Sequence, residues 1–132
     1  MEHVTTHQAQ AEELLSAMDL LMEDVASYKS AVALLAVHSA IAFNDAVLCR
    51  MTGSTHRGED HSSVSKITRK ECKKRKRDAS GIQHLEFLLS KKTKYSYNGL
   101  VDEMSAKSAA DKARKFADWA YRTALQRELS NG

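Results

Sequence analysis

The chain contains no proline and only five glycines in 132 residues. Proline and glycine make many of the tight turns in β-rich proteins, so their scarcity argues against an all-β fold. Alanine, leucine, lysine and glutamate recur throughout instead, which is the composition of long uninterrupted helices. The sequence therefore predicts an all-α protein, and its length fits one helical domain over residues 1–132.

Cysteine is also scarce, with Cys49 and Cys72 the two in the chain. They are too few and too far apart for a disulfide framework or a four-thiolate zinc site, so both are expected to be reduced. The six histidines are scattered, and none stands in the HExxH spacing that places two zinc ligands on one helix face. No metal and no other cofactor is expected.

The sequence shows no run of roughly 18 apolar residues, the length that a membrane span needs. Its first residues, MEHVTTHQAQAEE, lack the basic segment and apolar stretch of a secretory signal. These two absences predict a protein with no membrane contact and a cytoplasmic location.

Hydrophobic periodicity predicts four main helices. The first is expected from about Thr6 to Ala26, with one apolar face. The second, from about Tyr28 to Met51, is apolar on nearly every side and includes Leu35 and Phe43. Such a helix is typical of the centre of a bundle, where truncation of a buried side chain leaves a cavity. Gly53 is expected to end it.

The third helical region is expected to follow the loop THRGEDHSS, with Asp60 or Ser62 as its N-cap. A break is expected near 78–81, where a capping residue precedes a glycine, and apolar residues at helical spacing resume over 82–89. The next segment, KKTKYSYNG, is expected to be an extended connection because its β-branched, aromatic and Asn-Gly residues disfavour helix.

The last helix is expected to start at Ser105 or Ser108, since Ser108 with Asp111 three residues later forms a weak capping box. It should end near Leu129, and its stripe of alanines lets a partner helix approach closely. Short loops join antiparallel neighbours, so we expect an up-and-down bundle of four main helices whose third helix is broken in two.

The most visible feature is the basic run KITRKECKKRKR, which holds eight basic residues and one acid although the net charge of the chain is only +3. Clustered cations bind phosphates, and counterion release makes the affinity sensitive to salt. The candidate nucleic-acid-binding residues are Lys66, Arg69, Lys70, Lys73, Lys74, Arg75, Lys76 and Arg77. The alternatives are a solvated helix face and a localisation signal.

Arg57 and His61, in the segment HRGEDH, are candidate catalytic residues. They are four positions apart at the predicted start of the third helix, where a helical turn would place them on one side. An arginine can hold a phosphate through two N–H groups, and a histidine can move protons near neutral pH, which suits metal-independent RNA cleavage. The alternative is that His61 and Asp60 cap the helix and Arg57 is solvated.

Polar residues interrupt the apolar second helix at His38, Asn44 and Asp45. Buried polar groups must find partners. These three residues therefore either line a pocket and position the residues of a site, or form hydrogen bonds inside the bundle. Tyr95 lies close to the basic run in sequence and, with Tyr97, is a candidate for stacking on a base.

Four segments together resemble the HEPN superfamily of four-helix bundles, in particular its small bacterial members. The segments are AVALLAVHSAIAFNDAVLCRMTG, HRGEDHSSV, LEFLLSKKTKYSYNG and SAADKARKFADWAYRTAL, and they cover roughly 28–125. The resemblance implies a homodimer that binds RNA or a nucleotide. It also implies either a metal-independent ribonuclease of toxin–antitoxin type or a non-catalytic interaction module, such as the partner of a minimal nucleotidyltransferase. Arg57 and His61 depart from the family's nuclease motif because they are closer together and precede the third helix.

Overall fold

The computed structural model describes residues 2–53, 61–97 and 101–125. Within these ranges the regular secondary structure is helical throughout and no strand occurs, so the predicted all-α class is confirmed. The helices are α1 (Glu2–Met22), α2 (Lys29–Thr52), α3 (His61–Lys74), α4 (Ile82–Tyr97) and α5 (Glu103–Thr123).

Helix α2 lies at the centre and packs against each of the other four helices. Its fully buried side chains include Val32, Val37, Phe43 and Leu48, which point to different sides of the helix. A helix that is apolar on nearly every side needs neighbours around it in water, and the other four helices bury most of α2, although His38 stays exposed. Gly53 ends it as predicted, with a left-handed φ of 83° and an N–H that donates to the Cys49 carbonyl at 2.8 Å.

The same helix approaches the length and apolar composition of a membrane span, although no such span is predicted from the sequence. By length and composition α2 could cross a membrane, since its most apolar 18-residue window has a mean hydropathy of 1.8. In the structure 72% of that window is buried within the protein. This is the burial that the core helix of a soluble protein shows, and a single such helix is weak evidence for a span.

The predicted break in the third helical region lies between Lys74 and Ile82. The Asp78 carboxylate accepts hydrogen bonds from the Ser80 backbone N–H at 3.0 Å and from its hydroxyl at 2.8 Å, which shapes the turn. The Trp119 indole Nε1 of α5 donates to the Asp78 carbonyl at 2.8 Å. The turn after α3 is therefore fixed to the last helix.

Two helix boundaries near the C-terminal half differ from the prediction. Helix α4 continues to Tyr97, so residues 91–97 are helical and not extended. The Tyr95 side chain is buried in the core, and this packing outweighs the weak helix propensity of the segment. Helix α5 begins at Glu103 because Asp102 caps it, accepting from the Ser105 N–H at 2.7 Å. Ser105 and Ser108 are therefore not N-caps.

Other boundaries shift by about one turn. Helix α1 begins at Glu2 and ends at Met22, before the predicted end at Ala26, and turns occupy the residues that follow. Helix α3 begins at His61, which places Ser62 inside the helix. Helix α5 ends at Thr123, with Ala124 as its C-cap, so the predicted end near Leu129 is about six residues too late. The predicted cap Asp60 lies outside the described residues.

Candidate anion-binding site

The basic run forms the exposed side of α3 and the turn that follows it. All eight of its basic side chains reach solvent, whereas Val64, Thr68 and Cys72 on the opposite side of the helix are buried. This separation follows from the helical period, since residues four apart lie on one face. The structure nevertheless divides the eight cations into some that hold the fold together and others that only face solvent.

Arg69 belongs to the first group. Its guanidinium forms a two-pronged contact with Glu86 of α4, from Nε to Oε2 at 2.9 Å and from Nη2 to Oε1 at 2.8 Å. This hydrogen-bonded pairing holds the pKa of the Glu86 carboxyl below its ordinary value and raises that of Arg69. The two guanidinium N–H groups that could hold a phosphate are bonded to Glu86, so Arg69 joins α3 to α4.

Arg75 and Arg77 bind the ends of two other helices. The Arg75 Nη2 donates to the Met51 carbonyl in the last turn of α2, and the Arg77 Nη1 donates to the Thr123 carbonyl at the end of α5. The last carbonyls of a helix lack partners within the helix, and both arginines supply one. Arg75 Nη1 also lies 3.3 Å from Glu71 Oε1, which accepts no hydrogen bond among the described residues, so this contact is an ion pair.

An unusual backbone turn directs these two side chains. Lys76 has a left-handed φ of 57°, the one non-glycine residue with positive φ in the described part of the chain. Its N–H donates to the Lys73 carbonyl at 3.2 Å, and the Arg77 N–H donates to the Cys72 carbonyl at 2.8 Å. These bonds form the Schellman motif that often ends a helix, usually with glycine in the left-handed position. A lysine there costs roughly 1 kcal/mol.

Arg75 and Arg77 line a cleft of about 410 Å³, where the C-terminal ends of α2 and α5 meet the turn after α3. Arg50, in the last turn of α2, and Arg122, in the last turn of α5, also line it. The remaining lining residues are Met51, Tyr121, Thr123, Ala124 and Leu125. We call this the arginine cleft, and none of its described lining residues is acidic.

Helix ends account for part of this positive charge. A helix C-terminus carries a partial negative charge, so cations in its last turn are favourable. Two C-termini together offset roughly one of the four guanidinium charges, and Glu71 pairs with Arg75. Asp78 lies beyond the lining; hydrogen bonds from Ser80 chiefly lower its carboxyl pKa, with a smaller contribution from Arg122. A surplus of positive charge remains in the cleft.

The other predicted site residues do not line this cleft. Asn44 is buried and its Oδ1 accepts from the Thr68 hydroxyl at 2.7 Å, which joins α2 to α3. Tyr95 is only 4% exposed, so its ring is covered, and burial raises the pKa of its hydroxyl. His38 is exposed and Asp45 is half-buried on α2.

Arg57 and the side chain of His61 lie outside the described residues, although the His61 backbone begins α3. Their catalytic roles stay predictions. Within the described residues, no group of three or more His, Cys, Asp and Glu side chains is placed to hold a metal ion.

Comparisons with protein-family models, with curated proteins and with solved structures find no match. The arginine cleft therefore stands on its own geometry. Four guanidinium groups around one partly open cleft can bind an anion such as phosphate, because each group offers several N–H donors in a rigid fork.

Sequence reasoning did not select Arg50 and Arg122 as site residues. A local signal exists, because each is a cation in the last turn of a helix rich in apolar or small residues. That signal indicates a helix end stabilised by charge and no more. Only the packing that brings the ends of α2 and α5 to the turn after α3 makes these residues members of one site.

Proposed function

We propose that this protein binds nucleic acid through its phosphate groups, with the arginine cleft as the main contact. The observation that carries the proposal is the convergence of four arginines on one cleft with no acid among its described lining residues. They come from three separate parts of the chain: Arg50 from α2, Arg75 and Arg77 from the turn after α3, and Arg122 from α5. A merely solvated basic run would not require this convergence.

Two of the arginines are held in place before any ligand arrives. Arg75 and Arg77 each use one Nη to bind a helix-end carbonyl, which leaves other N–H groups for a ligand. A preformed donor loses less conformational entropy on binding than a free side chain does. Arg50 and Arg122 are exposed at the same cleft and can close on the ligand.

A row of lysines on α3 leads toward the cleft. Lys66, Lys70, Lys73 and Lys74 are all exposed, and their spacing of four, seven and eight places them on one side of the helix. We call these four residues the lysine row. Lys74 directly precedes Arg75, so a strand whose phosphate sits in the cleft can run along the lysine row. Lysines bind phosphates as point charges and add affinity that depends strongly on salt.

Binding to RNA should therefore weaken with salt, and removing lysines from the row should reduce that dependence. In a variant with Lys70→Gln, Lys73→Gln and Lys74→Gln, the slope of log affinity against log salt should fall by roughly 2, since each phosphate contact to a single strand contributes about 0.7. Fluorescence anisotropy with a labelled single-stranded RNA measures this. Arg69, Arg75 and Arg77 are left unchanged because they hold the fold together.

The matched control removes three cations from α5: Lys107→Gln, Arg114→Gln and Lys115→Gln. These residues form ion pairs with Glu103, Asp19 and Asp111 on the protein surface. Both variants lose three positive charges, so their net charges are equal. Equal salt slopes for the two variants would show that the lysine row is only a solvated face. The non-catalytic interaction module would then be the better hypothesis.

The HEPN-like four-helix bundle and RNA cleavage by Arg57 and His61 belong to the same proposal and rest on the family resemblance. Cleavage needs a proton-transfer group, and removing one typically lowers the rate by about 10²- to 10⁴-fold. Gel analysis of RNA incubated with wild-type protein and with His61→Ala tests this. RNA left intact by the wild type limits the function to binding.

The resemblance also leads us to propose a homodimer, and a nucleotidyltransferase-type protein as a further partner. The structure has exposed apolar side chains that association would cover, among them Leu20 at 67% and Met104 at 79% exposure. Light scattering at micromolar concentration should give twice the chain mass of 14.7 kDa. A mass of one chain throughout the accessible range would contradict the dimer.

A further inference from the structure

We infer that the arginine cleft binds the terminal phosphate of a strand, a phosphomonoester, in preference to an internal phosphodiester. This inference rests on the proposed nucleic-acid binding and names the part of the ligand that the cleft takes. The cleft and the lysine row differ in shape and in charge density, so they suit different parts of a strand.

The size of the cleft favours an end over a length of strand. Its volume of about 410 Å³ lies at the lower end of the range for pockets that enclose a small molecule. The α5 end that lines it is well packed: Thr123 and Leu125 are buried, and the Ala124 and Leu125 N–H groups both donate to the Ala120 carbonyl at 2.9 Å. An internal phosphate would have to enter with a nucleotide on either side of it.

The charge of the cleft matches a dianion. Glu71 neutralises one of the four guanidinium groups, and the two helix ends offset roughly one more. The exposed Asp78 attracts Arg122 only weakly, so about two positive charges remain. A phosphomonoester carries about −1.5 to −2 at pH 7 and offers three acceptor oxygens. A phosphodiester carries a single negative charge and two free oxygens, so it would leave both charge and N–H donors unmatched.

The arrangement of donors supports the same ligand. Arg75 and Arg77 stand on either side of the left-handed Lys76 in the sequence. Their guanidinium groups reach the ends of two different helices. Donors therefore approach the cleft from the α2 side and from the α5 side, with Arg50 and Arg122 on the same two helices. Donors on both sides can reach the three acceptor oxygens of a terminal phosphate, whereas an internal phosphodiester offers only two free oxygens.

The test compares short single-stranded RNAs of one sequence that differ only at their ends: 5′-phosphate, 3′-phosphate, and hydroxyl at both ends. Each carries an internal fluorophore, and anisotropy gives the affinity. We expect either the 5′-phosphate strand or the 3′-phosphate strand to bind about tenfold or more tightly than the hydroxyl-ended strand. The terminal phosphate gains charge-assisted hydrogen bonds that a hydroxyl end lacks. Inorganic phosphate should compete with that strand down to the hydroxyl-ended affinity. A free nucleoside 5′-monophosphate, as a second competitor, shows whether one terminal nucleotide is enough to bind the arginine cleft.

Variants assign the effect to the cleft. Arg50→Gln with Arg122→Gln should abolish the preference for a phosphate end, and both residues are exposed with no described role in holding the fold. Arg114→Gln, which removes an exposed arginine paired with Asp19 instead, should retain it. Thermal unfolding of each variant confirms that it is folded.

Equal affinity for the three strands overturns this inference while leaving nucleic-acid binding in place. A preference that persists in the Arg50 and Arg122 double variant also overturns it, because another site would then recognise the end. A protein that binds none of the strands loses the proposed function and this inference together.

Discussion

Truncating Phe43 to alanine is expected to lower the free energy of unfolding by about 3 to 5 kcal/mol. Phe43 is fully buried on the central helix, and its ring packs edge-to-face on Tyr121 of α5 with centroids 5.6 Å apart. The substitution removes apolar contact with the core and leaves a cavity that the surrounding helices fill only in part. Urea unfolding followed by circular dichroism measures the change.

Leu35→Ala on the same helix is the control, because Leu35 is only partly buried against the core. Its loss should cost about 1 to 2 kcal/mol, in proportion to the smaller apolar area that it hides. If the two variants are destabilised equally, Phe43 is not more deeply buried than Leu35 in the core. Because Tyr121 also lines the arginine cleft, the Phe43 variant should bind RNA somewhat more weakly even where it remains folded.

Core residues of this kind were accessible from the sequence, because hydrophobic periodicity is a local property. The all-round apolar character of α2 predicted its central position, and Gly53 predicted its end. The limits of α4 and α5 were not accessible in the same way. Tyr95 extends α4 because the core buries its ring, and that burial depends on helices distant in sequence. Asp102 is not predicted from the sequence as the N-cap of α5, although Asp is among the preferred capping residues.

The candidate site was predictable only as a composition. The basic run indicated phosphate binding, but it gave no means of separating Arg69, which pairs with Glu86, from lysines that face solvent. Arg75 and Arg77 meet carbonyls 24 and 46 residues away in the sequence. No local pattern contains that information. Arginine at a helix end is a common stabilising feature, so the site is distinguished by the number of arginines that meet and not by any one of them.

Replacing Gly81 with alanine is expected to destabilise the protein by about 2 to 4 kcal/mol and to weaken phosphate binding as well. A Cβ at this position would lie 2.2 Å from Cγ and 2.3 Å from Cβ of Trp119, far inside van der Waals contact. Trp119 cannot move aside easily, since it is fully buried and stacks on Phe116 with centroids 5.2 Å apart. Overpacking of this kind costs about 1 to 3 kcal/mol, and loss of the Trp119 hydrogen bond to the Asp78 carbonyl adds about 1 kcal/mol.

The effect on binding follows from the position of the turn. Arg77 is four residues before Gly81, and it lines the arginine cleft only while the turn after α3 stays against α5. A displaced turn would separate Arg77 from the Thr123 carbonyl and disorder one wall of the cleft. The variant that remains folded should therefore bind a phosphate-ended RNA less tightly than the wild type, whereas its binding through the lysine row should change little.

Gly53→Ala provides the control because the structure requires glycine at position 53 for a different reason. Gly53 has a φ of 83°, and a Cβ there meets no atom within 4 Å, so its substitution costs backbone strain of about 1 to 2 kcal/mol without a clash. Unfolding and anisotropy measurements on both variants separate the two effects. Gly81→Ala should lose more stability than Gly53→Ala. A Gly81 variant with wild-type stability would mean that the turn does not pack against Trp119, and the arginine cleft would then lack the support on which its geometry depends.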